Sequence, residues 1–99
     1  FESLDTDRYL SHYSHQFSAN GVNYAQWARK KRQVNAAKTW ITVHLSDISM
    51  IRYPGRLDLM VVTFNQDYKS SNLTDRMRKQ QYWLKENGEW KIIYEGAAS

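Results

Sequence analysis

Apolar residues recur along this chain with two different periods, and the change of period divides it into a helical first part and a stranded remainder. Leu4, Tyr9, Tyr13 and Phe17 fall near helical spacing, and Asp5 or Thr6 is placed to cap a first turn that also carries Asp7. This predicts a helix over about residues 3 to 14. The cluster Ser18-Ala19-Asn20-Gly21 breaks it and predicts a loop. In Tyr24 to Ala37, Tyr24, Trp27, Ala28 and Val34 occupy one side and Arg29, Lys30, Arg32 and Gln33 largely the other, the pattern of a second amphipathic helix.

From Thr39 onward the period is two. Ile41, Val43 and Leu45 alternate with Thr42, His44 and Ser46, and the apolar set then resumes at Ile48 and Met50. The phase slips by one residue at Ser46-Asp47, which predicts a β-bulge. Tyr53-Pro54-Gly55-Arg56 has the central Pro and Gly of a type I or II turn. In the strand expected over Leu57 to Lys69, one face carries Met60, Val62, Phe64, Gln66 and Tyr68. The loop Ser70-Ser71-Asn72 leads to a third strand expected from Asp75 to Lys85. Asn87-Gly88 tolerates the positive φ angles of a two-residue hairpin, and the fourth strand is expected from Trp90 to Glu95. Two helices followed by four long antiparallel strands indicate an α+β domain, a curved sheet with helices laid against one face.

Composition sets limits on this picture. With 99 residues, 41% of them hydrophobic and 14% aromatic, the chain holds one core and not two. It contains no Cys, which excludes disulfides, thiolate metal sites and a cysteine nucleophile. No apolar run approaches the roughly 20 residues of a membrane-spanning helix. The start at Phe1-Glu2-Ser3, without Met and inside a helical pattern, suggests a domain cut from a longer protein. A formal charge of +4 permits attraction to an anionic polymer or nucleic acid. Much of the excess sits in Arg29-Lys30-Lys31-Arg32 and in Arg76, Arg78 and Lys79.

The same residues carry a resemblance. Tyr9-Leu10-Ser11-x-Tyr13-Ser14, Phe17, Gly21, Trp27 with its basic run, the Ile-x-Val-x-Leu strand, Phe64-x-Gln66-x-Tyr68, Lys79 and Trp90-Lys91-Ile92 to Glu95 resemble an accessory domain of the nuclear transport factor 2-like, SnoaL-like superfamily. That domain is found after the catalytic domain of some L,D-transpeptidase-like cell-wall enzymes. The resemblance implies a cone-shaped α+β roll with a pocket at one end and a periplasmic or cell-envelope setting. It also implies a role in binding a peptidoglycan fragment or another small ligand, or in homodimer formation, while a catalytic domain on the same chain does chemistry. Gln81 and Trp83 stand where aliphatic residues are more usual in that family.

Strand alternation places Met77, Lys79, Gln81 and Trp83 on one face, which the resemblance aligns with Phe64, Gln66 and Tyr68 toward the concave side. A lysine there requires an anion, and Glu95 is the partner expected by hairpin register, with Gln66 and Tyr68 as further hydrogen-bonding groups. The expected pocket set is Tyr13, Trp27, Phe64, Gln66, Tyr68, Lys79, Gln81 and Glu95. Superfamily enzymes such as ketosteroid isomerase imply an alternative in which Tyr13 or Tyr68 donates a proton and Glu95 accepts one. No catalytic residue, cofactor or metal is assigned from the sequence. His12 and His15, three apart near Asp5 and Asp7, lack a closed set of four ligands. His44 reads as solvent-facing. A nucleic-acid-binding module is the remaining alternative, although four consecutive basic residues on a helix point in different directions. Asn72-Leu73-Thr74 matches a glycosylation triplet of a kind common by chance.

Overall fold

The computed structural model describes residues 6–98. Helix α1 spans Thr6–Leu10, and a short hairpin follows, with strand β1 at Ser18–Ala19 and β2 at Val22–Asn23. Helix α2 spans Tyr24–Ala36, and four strands complete the chain: β3 Ile41–Arg52, β4 Leu59–Ser70, β5 Thr74–Glu86 and β6 Glu89–Ala97. The long strands form one antiparallel sheet in the order β3-β4-β5-β6. This is the expected α+β class, with each long strand close to its expected bounds.

The first helix is shorter than its pattern suggests. Leu4 and Asp5 lie outside the described residues, and the helix stops at Leu10 instead of reaching residue 14. Beyond it the turn tightens, with the Tyr13 amide donating to the Leu10 carbonyl at 3.0 Å. The chain then joins the sheet edge: the Ser14 amide donates to the Ile92 carbonyl and the Ile92 amide to the His12 carbonyl, both at 2.8 Å. Those backbone groups find partners on β6 that a helix would have withheld from the sheet. Tyr13 is thereby pinned beside β6.

The expected loop at Ser18–Gly21 is the β1–β2 hairpin. Asn20 and Gly21 adopt φ of 53° and 78°, matching Asn87 and Gly88 at 50° and 82°. The same dipeptide therefore makes the same primed turn twice. Asn23 then caps α2 through a capping box, its Oδ1 accepting from the Gln26 amide while Gln26 Oε1 accepts from the Asn23 amide. Gly55 at φ 78° fixes the β3–β4 turn as type II, closed by the Arg56 amide on the Tyr53 carbonyl.

The bulge lies where the phase slip places it, between Ser46 and Ser49, with Asp47 at φ 50° and its carboxylate accepting from Asn65 Nδ2. A second irregularity between Tyr82 and Trp83 leaves Ile93 as the extra residue of β6. No interruption of the apolar pattern announces it.

The core is off-centre. Leu10, Tyr13, Phe17, Ala19, Ala28 and Ile92 form its buried centre, with Tyr9, Tyr24, Trp27, Trp83 and Tyr94 packed around it. These residues gather where α1, the β1–β2 hairpin and α2 meet the β6 side of the sheet. The β3 side keeps its concave apolar residues exposed: Leu45 at 39%, Ile48 at 54% and Met50 at 67%. A sheet filled at one side and open at the other has a cavity between.

Candidate functional site

That cavity has a volume of about 880 Å³. Its sheet wall is the concave face: Ile41, Val43, Leu45, Ile48 and Met50 from β3, Met60, Val62, Phe64, Gln66 and Tyr68 from β4, and Met77, Lys79, Gln81 and Trp83 from β5. The bulge keeps β3 in phase with the wall, because the extra residue returns Ile48 and Met50 to the face that Leu45 left. Tyr9, His12 and Tyr13 close one end, and Lys31, Val34 and Asn35 enter from α2.

A polar network forms the floor. Glu95 is buried, with its side chain 4% exposed, and its Oε2 receives Lys79 Nζ at 3.0 Å; the Lys79 side chain is 14% exposed. Gln81, paired with Glu95 in the β5–β6 register, donates its amide to Oε1 at 2.7 Å and accepts from Trp83 Nε1 at 3.0 Å. The Tyr13 hydroxyl also donates to Oε1 at 2.7 Å. Since that proton is committed, the Tyr9 hydroxyl is the donor in its 2.7 Å contact with Tyr13. Every link from Trp83 and from Tyr9 converges on one carboxylate.

Burial pushes the Glu95 carboxyl up, but the Lys79 charge and the hydrogen bonds from Tyr13, Gln81 and Lys79 outweigh it and hold the group below its ordinary 4.5. Burial first, then the neighbouring Tyr9 and Glu95, raises the Tyr13 phenol well above its usual value. Burial and the Glu95 charge do the same to Tyr9. A carboxyl whose folded value is depressed stabilises the fold above its unfolded value and loses that contribution as pH falls through the folded value. We therefore expect the unfolding midpoint to drop as pH falls below 4.5, and Glu95→Gln to flatten that part of the profile. A mutant profile parallel to wild type between neutral pH and the acid limb would contradict this.

Of the eight residues expected at the pocket, seven line it; Trp27 does not. Its indole packs into the core, with ring centroids 5.0 Å from Phe17 and 5.7 Å from Tyr13, and Nε1 is buried without a hydrogen-bond partner among the described residues. Amphipathic phase put Trp27 on the inner face of α2, but the inner face meets the core before it meets the cavity. Gln66 and Tyr68 line the wall yet give no hydrogen bond to the Lys79–Glu95 pair; Tyr13 and Gln81 take that role. Sequence reading missed Tyr9 and Lys31. Tyr9 carried a signal, lying four residues before Tyr13 on the same helical side.

The remaining candidates separate. His12 faces the cavity, whereas His15 packs on Tyr24 with centroids 4.6 Å apart, and the Asp5 and Asp7 carboxylates lie outside the described side chains. His44 is exposed. Asn72 accepts from the buried Lys38 ammonium. The basic run of α2 does not form one surface: Arg29, Lys30 and Arg32 are exposed while Lys31 turns inward. Among the described residues no helix is long and apolar enough to cross a membrane.

Comparison with known proteins agrees with this architecture. Residues 1–96 match the family described as the Cds6 C-terminal NTF2-like domain. Bd1075 of Bdellovibrio bacteriovorus superposes with a TM-score of 0.83 at 32% identity, over 95% of this chain and 33% of that one. The helical cell shape determining protein Pgp2 of Campylobacter jejuni gives 0.77 at 28% identity, over 94% and 34%. This chain thus spans about a third of the length of those proteins. An NTF2-like protein of Pseudomonas putida, 13% identical, superposes at 0.75 over 92% of this chain and 70% of its own, a likeness of fold alone. No curated protein matches the chain.

Proposed function

Because this chain belongs to the family of Cds6 C-terminal NTF2-like domains, we propose that it is a non-catalytic, ligand-binding accessory domain of a cell-envelope protein that handles peptidoglycan. The observation that carries this reading is the cavity itself: apolar walls converging on a small set of fixed polar groups, the usual build of a small-ligand site. The similarity to a cell-shape protein supports the envelope setting, since the wall polymer maintains bacterial shape, and supports a periplasmic location. A length of about a third of those relatives fits a domain that serves a catalytic domain on the same chain.

The floor favours binding over catalysis. Glu95 is held by Lys79, Gln81 and Tyr13, so both of its oxygens already accept hydrogen bonds, and its depressed pKa suits a fixed anion better than a general base. Tyr13 spends its proton on that carboxylate. The ketosteroid isomerase-like alternative would require this network to break before each turnover.

Titration of the chain with purified muropeptides, followed by backbone and Trp side-chain NMR, tests the proposal. The expected result is saturable shifts at Trp83, Gln81 and Lys79, with the outer sheet face unmoved. Absence of shifts for every fragment at millimolar concentration would overturn it.

A further inference from the structure

A second cavity, of about 670 Å³, lies where the segment between α1 and β1 passes the β5–β6 turn. Tyr13 is the only residue that lines both this groove and the large cavity. Ser14, 2% exposed, accepts from the Gln16 amide through Oγ and spends its single hydroxyl proton on Glu86 Oε2, both at 2.9 Å. That bond fixes the Glu86 carboxylate in the groove wall, and its other oxygen, Oε1, accepts nothing among the described residues. Lys91 enters the same groove and donates to the Ser11 carbonyl at 2.6 Å. The Gln16 and Asn87 amides and the Tyr24 hydroxyl also line it, and none has a hydrogen-bond partner among the described residues. The Tyr24 ring packs beside that of His15, while Leu10 and Leu84 supply apolar surface.

We propose that this groove binds a neutral saccharide, with one pyranose ring against Tyr24 and its hydroxyls shared among Glu86 Oε1, Gln16 and Asn87. The fixed charges of the groove, Glu86 and Lys91, cancel. An anion would meet the carboxylate and a cation the ammonium, so an uncharged ligand fits best. Side-chain amides and a phenol both donate and accept, as sugar hydroxyls do, and the free carboxylate oxygen takes a further hydroxyl proton. The C–H face of a pyranose is apolar and is covered by an aromatic ring. A purely structural role accounts for the Ser14–Glu86 bond, which ties the segment to the hairpin, but not for the unpartnered groups gathered around it. The site is independent of the large cavity. Within the envelope reading, the glycan strand of the wall polymer supplies this chemistry.

NMR titration of the chain with tri-N-acetylchitotriose and with maltotriose, neither of which carries a peptide, tests the site. The expected result with at least one sugar is saturable shifts at Gln16, Asn87 and Gly88, with the Trp83 indole unmoved. Glu86→Gln keeps the side-chain shape and an acceptor for Ser14, and it should weaken sugar binding about tenfold, as the loss of a charged hydrogen-bonding group does. Asn87→Gly removes one amide at a position whose φ of 50° glycine adopts freely, and it should weaken binding by about threefold or more. Absence of shifts in the groove with both sugars at concentrations of about 10 mM would overturn the site, as would undiminished affinity in both variants. Shifts confined to Trp83 and Gln81 would overturn it too and assign the sugar to the large cavity. Sugar shifts in the groove, with Trp83 and Gln81 unmoved by muropeptides, would uphold the groove and remove the proposed role of the cavity. Muropeptide shifts at Trp83 without any response of the groove to sugars would do the reverse.

Discussion

Glu95→Gln is expected to lower the free energy of unfolding by about 3 to 5 kcal/mol, the range for stripping one member from a buried ion pair. Both partners are largely removed from solvent, so the weak, screened behaviour of surface pairs does not apply. The substitution is nearly isosteric, and its effect is electrical. Lys79 loses its counter-charge, and because an amide offers only one acceptor oxygen, either Lys79 or the Tyr13 and Gln81 donors face an NH₂ group instead. Urea denaturation gives the number. Lys79→Met combined with Glu95→Leu should recover much of the loss, since a well-packed apolar pair can replace a buried ionic one at little cost. The exposed Arg56–Asp58 pair is the control, and Asp58→Asn should leave the midpoint almost unchanged. A loss below about 0.5 kcal/mol for Glu95→Gln would mean that water reaches the floor and that the network does not order the cavity.

Phe17→Ala should be comparably damaging, at about 3 to 5 kcal/mol for a buried aromatic truncated to a methyl group. Phe17 is 1% exposed and packs edge-on to Tyr13, with centroids 5.5 Å apart, and against Trp27, with centroids 5.0 Å apart. Removing the ring leaves a void that neither neighbour fills without changing rotamer. The damage should also travel, because Tyr13 holds Glu95 and Trp27 supports Lys31. Phe17→Leu, which keeps most of the volume, should cost less than about 1.5 kcal/mol. Met50→Ala is the informative contrast: at 67% exposure it should lie within about 0.5 kcal/mol of wild type, although it too is a large apolar residue. A large effect at Met50 and a small one at Phe17 would place the core on the β3 side and refute the off-centre packing.

What the chain determined by itself is what local pattern encodes. Alternation put Phe64, Gln66 and Tyr68 on one face of β4 and Lys79 and Gln81 on one face of β5, because the strand period of two leaves only two faces to choose between; that the two sets share the concave side was implied by the family resemblance. The slip at Ser46-Asp47 was legible for the same reason, as a bulge in the middle of an alternating strand changes its phase visibly. Hairpin register suggested Glu95 as the partner of Lys79, but the Asn87-Gly88 turn alone would set Glu95 opposite Gln80; the bulge at Ile93 sets it opposite Gln81 and so on the face of Lys79. The bulge at Ile93 left no such mark. It lies in a continuous apolar run, Ile92-Ile93-Tyr94, where a shift of phase exchanges one large side chain for another. Tertiary structure alone decided the rest. Helix α1 ends at Leu10 because β6 supplies the backbone partners that its continuation would have used, and those partners lie about eighty residues away in sequence. Trp27 and Lys31 stand one turn apart on α2, yet one enters the core and the other the cavity. Helical phase says which side faces inward, but where along that side the core ends depends on how far the sheet curves away. That curvature is a property of four strands together and of no single segment.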